Sequence, residues 1–568
     1  MNHFSKISHK TVEIPLRSPD VVMKLERLGS LFPNRLSFAR TLVRRMAKEN
    51  WSITREKFDL DNRGIGTAIY KINTPAFPVW FVVFADHLIA SERTDRVIAE
   101  KWDATFTLTS KEPDEEKLRD LKGNIPLQEA GRCTSDEIIL SRANKSVRLF
   151  NYVAERLALG QQPDPAKLIE VGYLMRTTAV YGNGKFGLAD FEYMRGQGLF
   201  TLPFQAEMLS VYLARNFSFD WVEHIASKMK PKSWCRLDEN LKRGLGVGNA
   251  TGLGMAPFLI NHPKLISNWI LTRERALQRV NETQEITATK KHQFFDLLKE
   301  AKMHIEEWST TDRRQAESLC LIKEEIEDTY LFCEFRMKQN GWCHLSEWSK
   351  ENLGIETQEL INSILIELYP ELVDNLELET GADENMQLAP SMALDELEEI
   401  IDSEYDWAMA FDNKEKANTA RFWYASEDKE EPRFGWRYLE PGAEKELRIG
   451  IAQNVQHLKS ALAERKLTTS ELNVAEFLIL KPEFREIIQR IQNLQCHPYA
   501  EVRDNLLADI CRPINLLRCK LAMFGATKFD PKSDLWIRIT LFQGAPLKEQ
   551  LGHENLDNWL FPSLKNGF

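Results

Sequence analysis

The stretch from Arg243 to Pro257, RGLGVGNATGLGMAP, constrains the fold more than any other. Five of its fifteen residues are glycine: Gly244, Gly246, Gly248, Gly252 and Gly254. Glycine permits positive φ and lets backbone N–H groups approach another group closely. Successive N–H groups in such a loop form a concave anion site, and a following helix adds its positive end. Pro257 suits the first turn of that helix. The preceding Leu237–Lys242 reads as helix, not strand, so the dinucleotide fingerprint G-x-G-x-x-G fails in context as well as in spacing: Thr251 follows Gly246-x-Gly248, and Pro257 follows Gly252-x-Gly254. No Walker pattern is present, since Phe186 follows Gly184-Lys185 and Ala179 stands where the earlier glycine belongs. The stretch is then either a close-packed corner between helices or a ligand loop. Asn249 and Thr251 favour the loop, because a steric corner has no need of them.

A second loop of the same kind, Tyr181–Gly187 (YGNGKFG), follows Arg176 closely. Arginine offers a planar fork to phosphate or carboxylate, and lysine a point charge. The expectation is one pocket in which Arg176, Lys185 and Arg243 meet Gly182, Asn183, Gly184, Gly246, Gly248, Asn249, Thr251 and Gly252 around an anionic small molecule. The plainer reading of Arg176 and Lys185 is that they cap helix C-termini. His262, the histidine nearest these loops, is the acid–base candidate, against the plain alternative of a surface histidine before Pro263. Lys185, Arg176 and His262 are therefore the catalytic candidates. No serine elbow, H-E-x-x-H or EF-hand pattern occurs. Cys496 and His497 are neighbours whose side chains diverge on a helix. No metal ligands are assigned and no cofactor is indicated.

Charge is segregated. The net charge is −10, yet Glu351–Asn413 holds 18 Asp and Glu with no Lys, Arg or His, and the remainder carries 74 basic against 66 acidic residues. A mildly basic body suits an anionic small molecule and is too weak a signal for nucleic acid. Residues 1–60 hold 12 Lys or Arg against 6 acids, with Arg35, Arg40, Arg44, Arg45 and Lys48 set around an amphipathic helix expected over Pro33–Lys48. The reading of those arginines is a solvated face or a surface for an acidic partner. Glu398, Asp402 and Asp406 stand at i, i+4, i+8 on an expected helix, where like charges repel mildly. A cation, a polyamine or the basic N-terminal helix could offset them.

The longest apolar run, Val79–Ala85, is far short of the roughly 20 residues of a membrane helix. The N-terminus, with Glu13 and Asp20, has no signal-peptide core. Eight scattered cysteines without a C-x-x-C pair fit reduced thiols in a cytosol. The expectation from these features is a cytoplasmic chain with no membrane partner.

Three strands are expected at Gly66–Asn73, Val79–Ala85 and Asp103–Thr109. Helices are expected from the capping box Thr134-x-x-Glu137 to Leu159, at Pro165–Val180 and Phe204–Met229, and through most of the remainder. Leu535–Phe542 alternates as a strand and, having no neighbour close in sequence, is expected to pair with an N-terminal strand. The fold class is mainly α with a small antiparallel β-sheet (α+β), the N-terminal sheet completed by that C-terminal strand. Three segments follow: an α+β region 1–125, a helical core 126–380 carrying both loops, and a helical region 381–568 ending in the strand. The expected function is a metabolic enzyme for a phosphate- or carboxylate-bearing molecule, of the lyase, hydrolase or transferase class, with a homo-oligomer compatible. The alternative is a helical scaffold or regulator whose acidic segment 351–413 binds a basic partner.

Overall fold

The structure, a computed structural model, describes residues 14–28, 30–89, 101–124, 136–181, 197–251, 262–337, 341–380, 386–410, 451–466, 472–503, 520–533, 536–552 and 557–564. The chain is mainly helical with one mixed sheet, so the α+β class holds. The sheet is large, not small. It has nine strands: β1 Ser52–Leu60, β2 Gly66–Asn73, β3 Val79–Ala85, β4 Ala104–Thr109, β5 Glu137–Lys145, β6 Tyr173–Tyr181, β7 Gly246–Thr251, β8 Ala526–Ser533 and β9 Trp536–Leu541. Their order is β1-β2-β3-β4-β5-β6-β7-β9-β8. All neighbours are antiparallel except β6 and β7, which run parallel.

Strands β2, β3 and β4 fall where their β-branched and aromatic runs predict. Several other segments depart from expectation, each for a tertiary reason. Glu137–Lys145 is a strand, not the start of a helix, and the helix begins only at Phe150. Its Ile139, Ser141 and Ala143 alternate with Leu140, Arg142 and Asn144, and neighbours on both sides complete its backbone hydrogen bonds. The helix expected over Pro165–Val180 stops at Val171, where Gly172 adopts φ 80° and closes it, and Tyr173–Tyr181 continues as a strand. The glycine-rich stretch is itself half strand: Gly246–Thr251 is β7. β9 pairs with β7 and β8, not with an N-terminal strand, so the C-terminal hairpin completes the far side of the sheet.

The inner face of the sheet packs on α2 (Gln205–Met229), a helix buried on nearly every side that touches β4, β5, β6 and β7. Phe217 of α2 meets the Phe106 ring of β4 edge-on at 6.0 Å, and Trp221 donates to Gly64 O at 2.8 Å. On the opposite, outer face, Ile69, Trp80, Val82, Phe84 and Leu140 pack under Leu118 and Leu121 of the short helix Glu115–Asn124.

α1 (Phe38–Lys48) turns its arginines inward, against expectation. Arg40 is 1 % exposed and donates to Glu367 at 2.6 Å. Arg35 donates to Asp374 at 2.5 Å and faces Glu367 at 3.2 Å and Asp557 at 2.8 Å, while Arg44 pairs with Glu377. Burial pushes the Asp557 carboxyl up, and Arg40, Arg44 and Arg35 outweigh it to hold it below the usual range. Burial also pushes Arg44 down to about 10. The basic N-terminus is thus answered by the acidic segment of the same chain, on α4 (Ile355–Leu368) and the 3-10 turn that follows. Glu398, Asp402 and Asp406 do not share one helix: Leu394–Glu404 ends before Asp406, and Asp402 pairs with Lys459.

Among the described residues no helix is long and apolar enough to cross a membrane. Cys235, Cys320, Cys333, Cys343 and Cys496 are free thiols.

Candidate anion site at the carboxyl ends of β6 and β7

The parallel pair sets the geometry. Tyr173 pairs with Gly246, Arg176 with Gly248 and Thr177 with Asn249, so both strands end side by side, β6 at Tyr181 and β7 at Thr251. In open sheets, ligands bind outside the carboxyl ends of parallel strands. Gly182, Asn183, Gly184, Lys185 and Gly252 follow these ends in sequence and lie outside the described residues.

Register fixes the faces, because paired residues of neighbouring strands point to the same side. Asn144, Arg176, Gly248 and Thr540 form one row across β5, β6, β7 and β9. Arg142, opposite Ala179, and Arg538, opposite Ala250, flank that row on its carboxyl side. Ser141 faces inward, its Oγ 3.2 Å from Ser210 Oγ on α2, and Ile539 and Leu541 lie in the core. The alternate residues Arg142, Arg176 and Arg538 therefore share the outer face. Arg176 and Arg538 stand on either side of β7, two strands apart at about 4.8 Å each and two residues apart along the strand at about 3.3 Å each, so roughly 12 Å from one another, a gap two arginine side chains can close on one phosphate. The Arg142 guanidinium lies 5.1 Å from the Trp102 ring centroid, and Asp530 stands opposite Arg538 on β8.

The glycines have a structural use of their own. A Cβ on Gly248 would meet the Tyr173 ring at 2.7 Å, one on Gly246 would meet Leu541 O at 2.2 Å, and one on Gly244 the Leu564 side chain at 2.3 Å. Close packing thus occupies the space these three open. Asn249 and Thr177 are buried and bonded to each other, with Asn249 Nδ2 3.2 Å from Thr177 O and 3.1 Å from its Oγ1. Arg243 stands at the other end of β7, most of the length of the strand pair away from Tyr181. It donates to Gly544 O at 3.0 Å and to Asn558 Oδ1 at 3.1 Å, and burial pushes its pKa down. Arg215 of α2 holds the same end: it is fully buried and donates to the carbonyls of Leu245 at 2.7 Å and of Lys242 and Arg243 at 3.2 Å. His262 is half-buried and immediately precedes α3 (Pro263–Asn281).

Of the expected set, the structure places Arg176 and Gly248 near the middle of β6 and β7 and Asn249 and Thr251 in the carboxyl half of β7, and leaves Arg243 and Gly246 at the amino end. Arg142 and Arg538 are site candidates that the sequence reading did not single out. The alternation of Leu140, Arg142 and Asn144, and of Arg538 and Thr540, was the signal that could have found them. No protein-family model, curated protein or solved structure matches this chain.

Proposed function

We propose that this chain is a metabolic enzyme acting on an anionic small molecule, phosphate- or carboxylate-bearing, held on the outer face at the carboxyl ends of β6 and β7. The observation that carries the reading is the set of three arginines, Arg142, Arg176 and Arg538, brought to one face of the sheet on β5, β6 and β9. Guanidinium forks bind phosphate and carboxylate bidentately. Lys185 and His262 are the proton-transfer candidates, one in the segment that leaves β6 and the other at the end of the segment that leaves β7. The scaffold reading is less favoured, because Glu359, Glu367, Asp374 and Glu377 of the acidic segment are already paired with arginines of the same chain.

A thermal-shift screen against phosphorylated and carboxylated metabolites tests the proposal. A ligand at 100 times its dissociation constant stabilises by roughly 2.7 kcal/mol. The expected result is a hit whose shift shrinks in R142Q and R538Q, each losing about 1.5–3 kcal/mol of binding. A hit that both variants retain in full would place the ligand elsewhere, and no hit at all would remove the proposal's support.

A further inference from the structure

Away from the sheet, a cavity of about 330 Å³ opens where residues 14–18 cross α3, α4 and the helix Cys343–Asn352. That volume is at the small end of the range for ligand sites. Arg17, Lys350, Asn281 and Asn362 supply polar wall, and Leu16 and Leu277 apolar wall.

The charges beside the cavity do not balance. Arg17 donates to Glu274 at 2.7 and 2.8 Å and to Glu359 at 2.8 Å. Arg27 donates to Glu359 at 3.0 Å, and Arg273 Nε to Glu274 at 3.1 Å. Three guanidiniums therefore share two carboxylates, whose side chains are only 1 % and 3 % exposed. Arg273 Nη2 is buried without a hydrogen-bond partner among the described residues. Of the nearby acids, Glu282 accepts from Ile14 N, and Asp20 and Glu404 both pair with Arg503. Lys350, on the cavity wall, is exposed and has no ion-pair partner among the described residues. A buried guanidinium left short of a partner is costly, and an anion in the adjoining cavity offsets it. Asn281 Oδ1 accepts from Ser346 Oγ at 2.9 Å, which leaves its NH2 group to donate.

We propose that this cavity binds a small organic anion, a carboxylate on an apolar body. The carboxylate meets Lys350 and the amides of Asn281 and Asn362, and the apolar part lies against Leu16 and Leu277. The site is independent of the arginine row on the sheet.

Isothermal titration of the full chain with hexanoate and with benzoate tests it, with hexanamide as the neutral counterpart and inorganic phosphate as an anion without an apolar body. Saturable binding of at least one carboxylate is expected, with none for hexanamide, and phosphate should not displace the carboxylate. K350M should weaken that binding roughly tenfold or more, the worth of a charge-assisted hydrogen bond, and R142Q should leave it unchanged. The proposal is overturned if neither carboxylate saturates, if hexanamide binds as tightly, if phosphate displaces the carboxylate, if K350M binds like the parent, or if R142Q abolishes binding and so moves the carboxylate to the sheet.

Discussion

At the scale of single residues, the glycines of β7 show how one feature serves two readings. In the sequence Gly248 reads as a place where a ligand meets bare backbone; in the structure its lack of a side chain makes room for the Tyr173 ring, beside Arg176. The second role gives a sharp expectation. Gly248→Ala should destabilise by about 1–3 kcal/mol, the usual result of overpacking a filled site, because the new methyl would stand 2.7 Å from an aromatic ring held in the core. A urea midpoint equal to that of the parent would show that the ring moves aside freely. Arg142 and Arg538 make the complementary point. Each is an ordinary arginine in the sequence, and each becomes a site candidate only when register sets it on the same face as Arg176.

At the scale of elements, α1 and α4 are joined by charge as well as by the core. Arg40 is buried against Glu367, and the Nε and Nη1 atoms of Arg40 have no hydrogen-bond partner among the described residues. Removing one partner strands the other, at about 3–5 kcal/mol, while replacing both by apolar groups can be nearly neutral. Glu367→Gln and Arg40→Met should each lower stability by that order, and the double variant Arg40→Met/Glu367→Met should recover much of it. Strictly additive losses in chemical denaturation would mean that the pair is not coupled. The amphipathic spacing of α1 is plain in the sequence. What its arginines face is not, because Glu367 and Asp557 lie hundreds of residues downstream.

At the scale of the whole molecule, the sheet takes strands from each of the three sequence segments, and β7 from the middle lies between β6 and the C-terminal β9. The N-terminus is held in turn by Glu274 and Glu359. Burial pushes the Glu359 carboxyl up, but Arg17, Arg273 and Arg27 outweigh it and hold it down at about 2, against 4.5 ordinarily. A carboxylate with a depressed folded pKa stabilises above its unfolded value and loses that contribution as pH falls through the folded one. Stability should therefore decline between about pH 4.5 and pH 2, by roughly 3 kcal/mol from this group alone. Glu359→Gln should be less stable at pH 7 and should show a flatter decline over that window in urea titrations. An unchanged slope would show that Glu359 is not the group responsible.

The sequence by itself determined the local elements whose pattern was complete within a few residues: β2, β3 and β4, the core of α1, and α2. It also marked the two glycine-bearing segments and the charge asymmetry between the N-terminus and residues 351–413. Tertiary structure decided the rest. Glu137–Lys145 and Tyr173–Tyr181 carry patterns that serve a helix or a strand, and neighbours on both sides supplied the backbone partners that made them strands. Gly246–Thr251 has weak strand propensity and became β7 because β6 and β9 enclose it and use the space its glycines leave. A strand's face, an arginine's partner and the neighbour of a C-terminal hairpin all depend on residues far away in the chain. Periodicity reports which side of an element is buried, and only pairing and packing report what it is buried against.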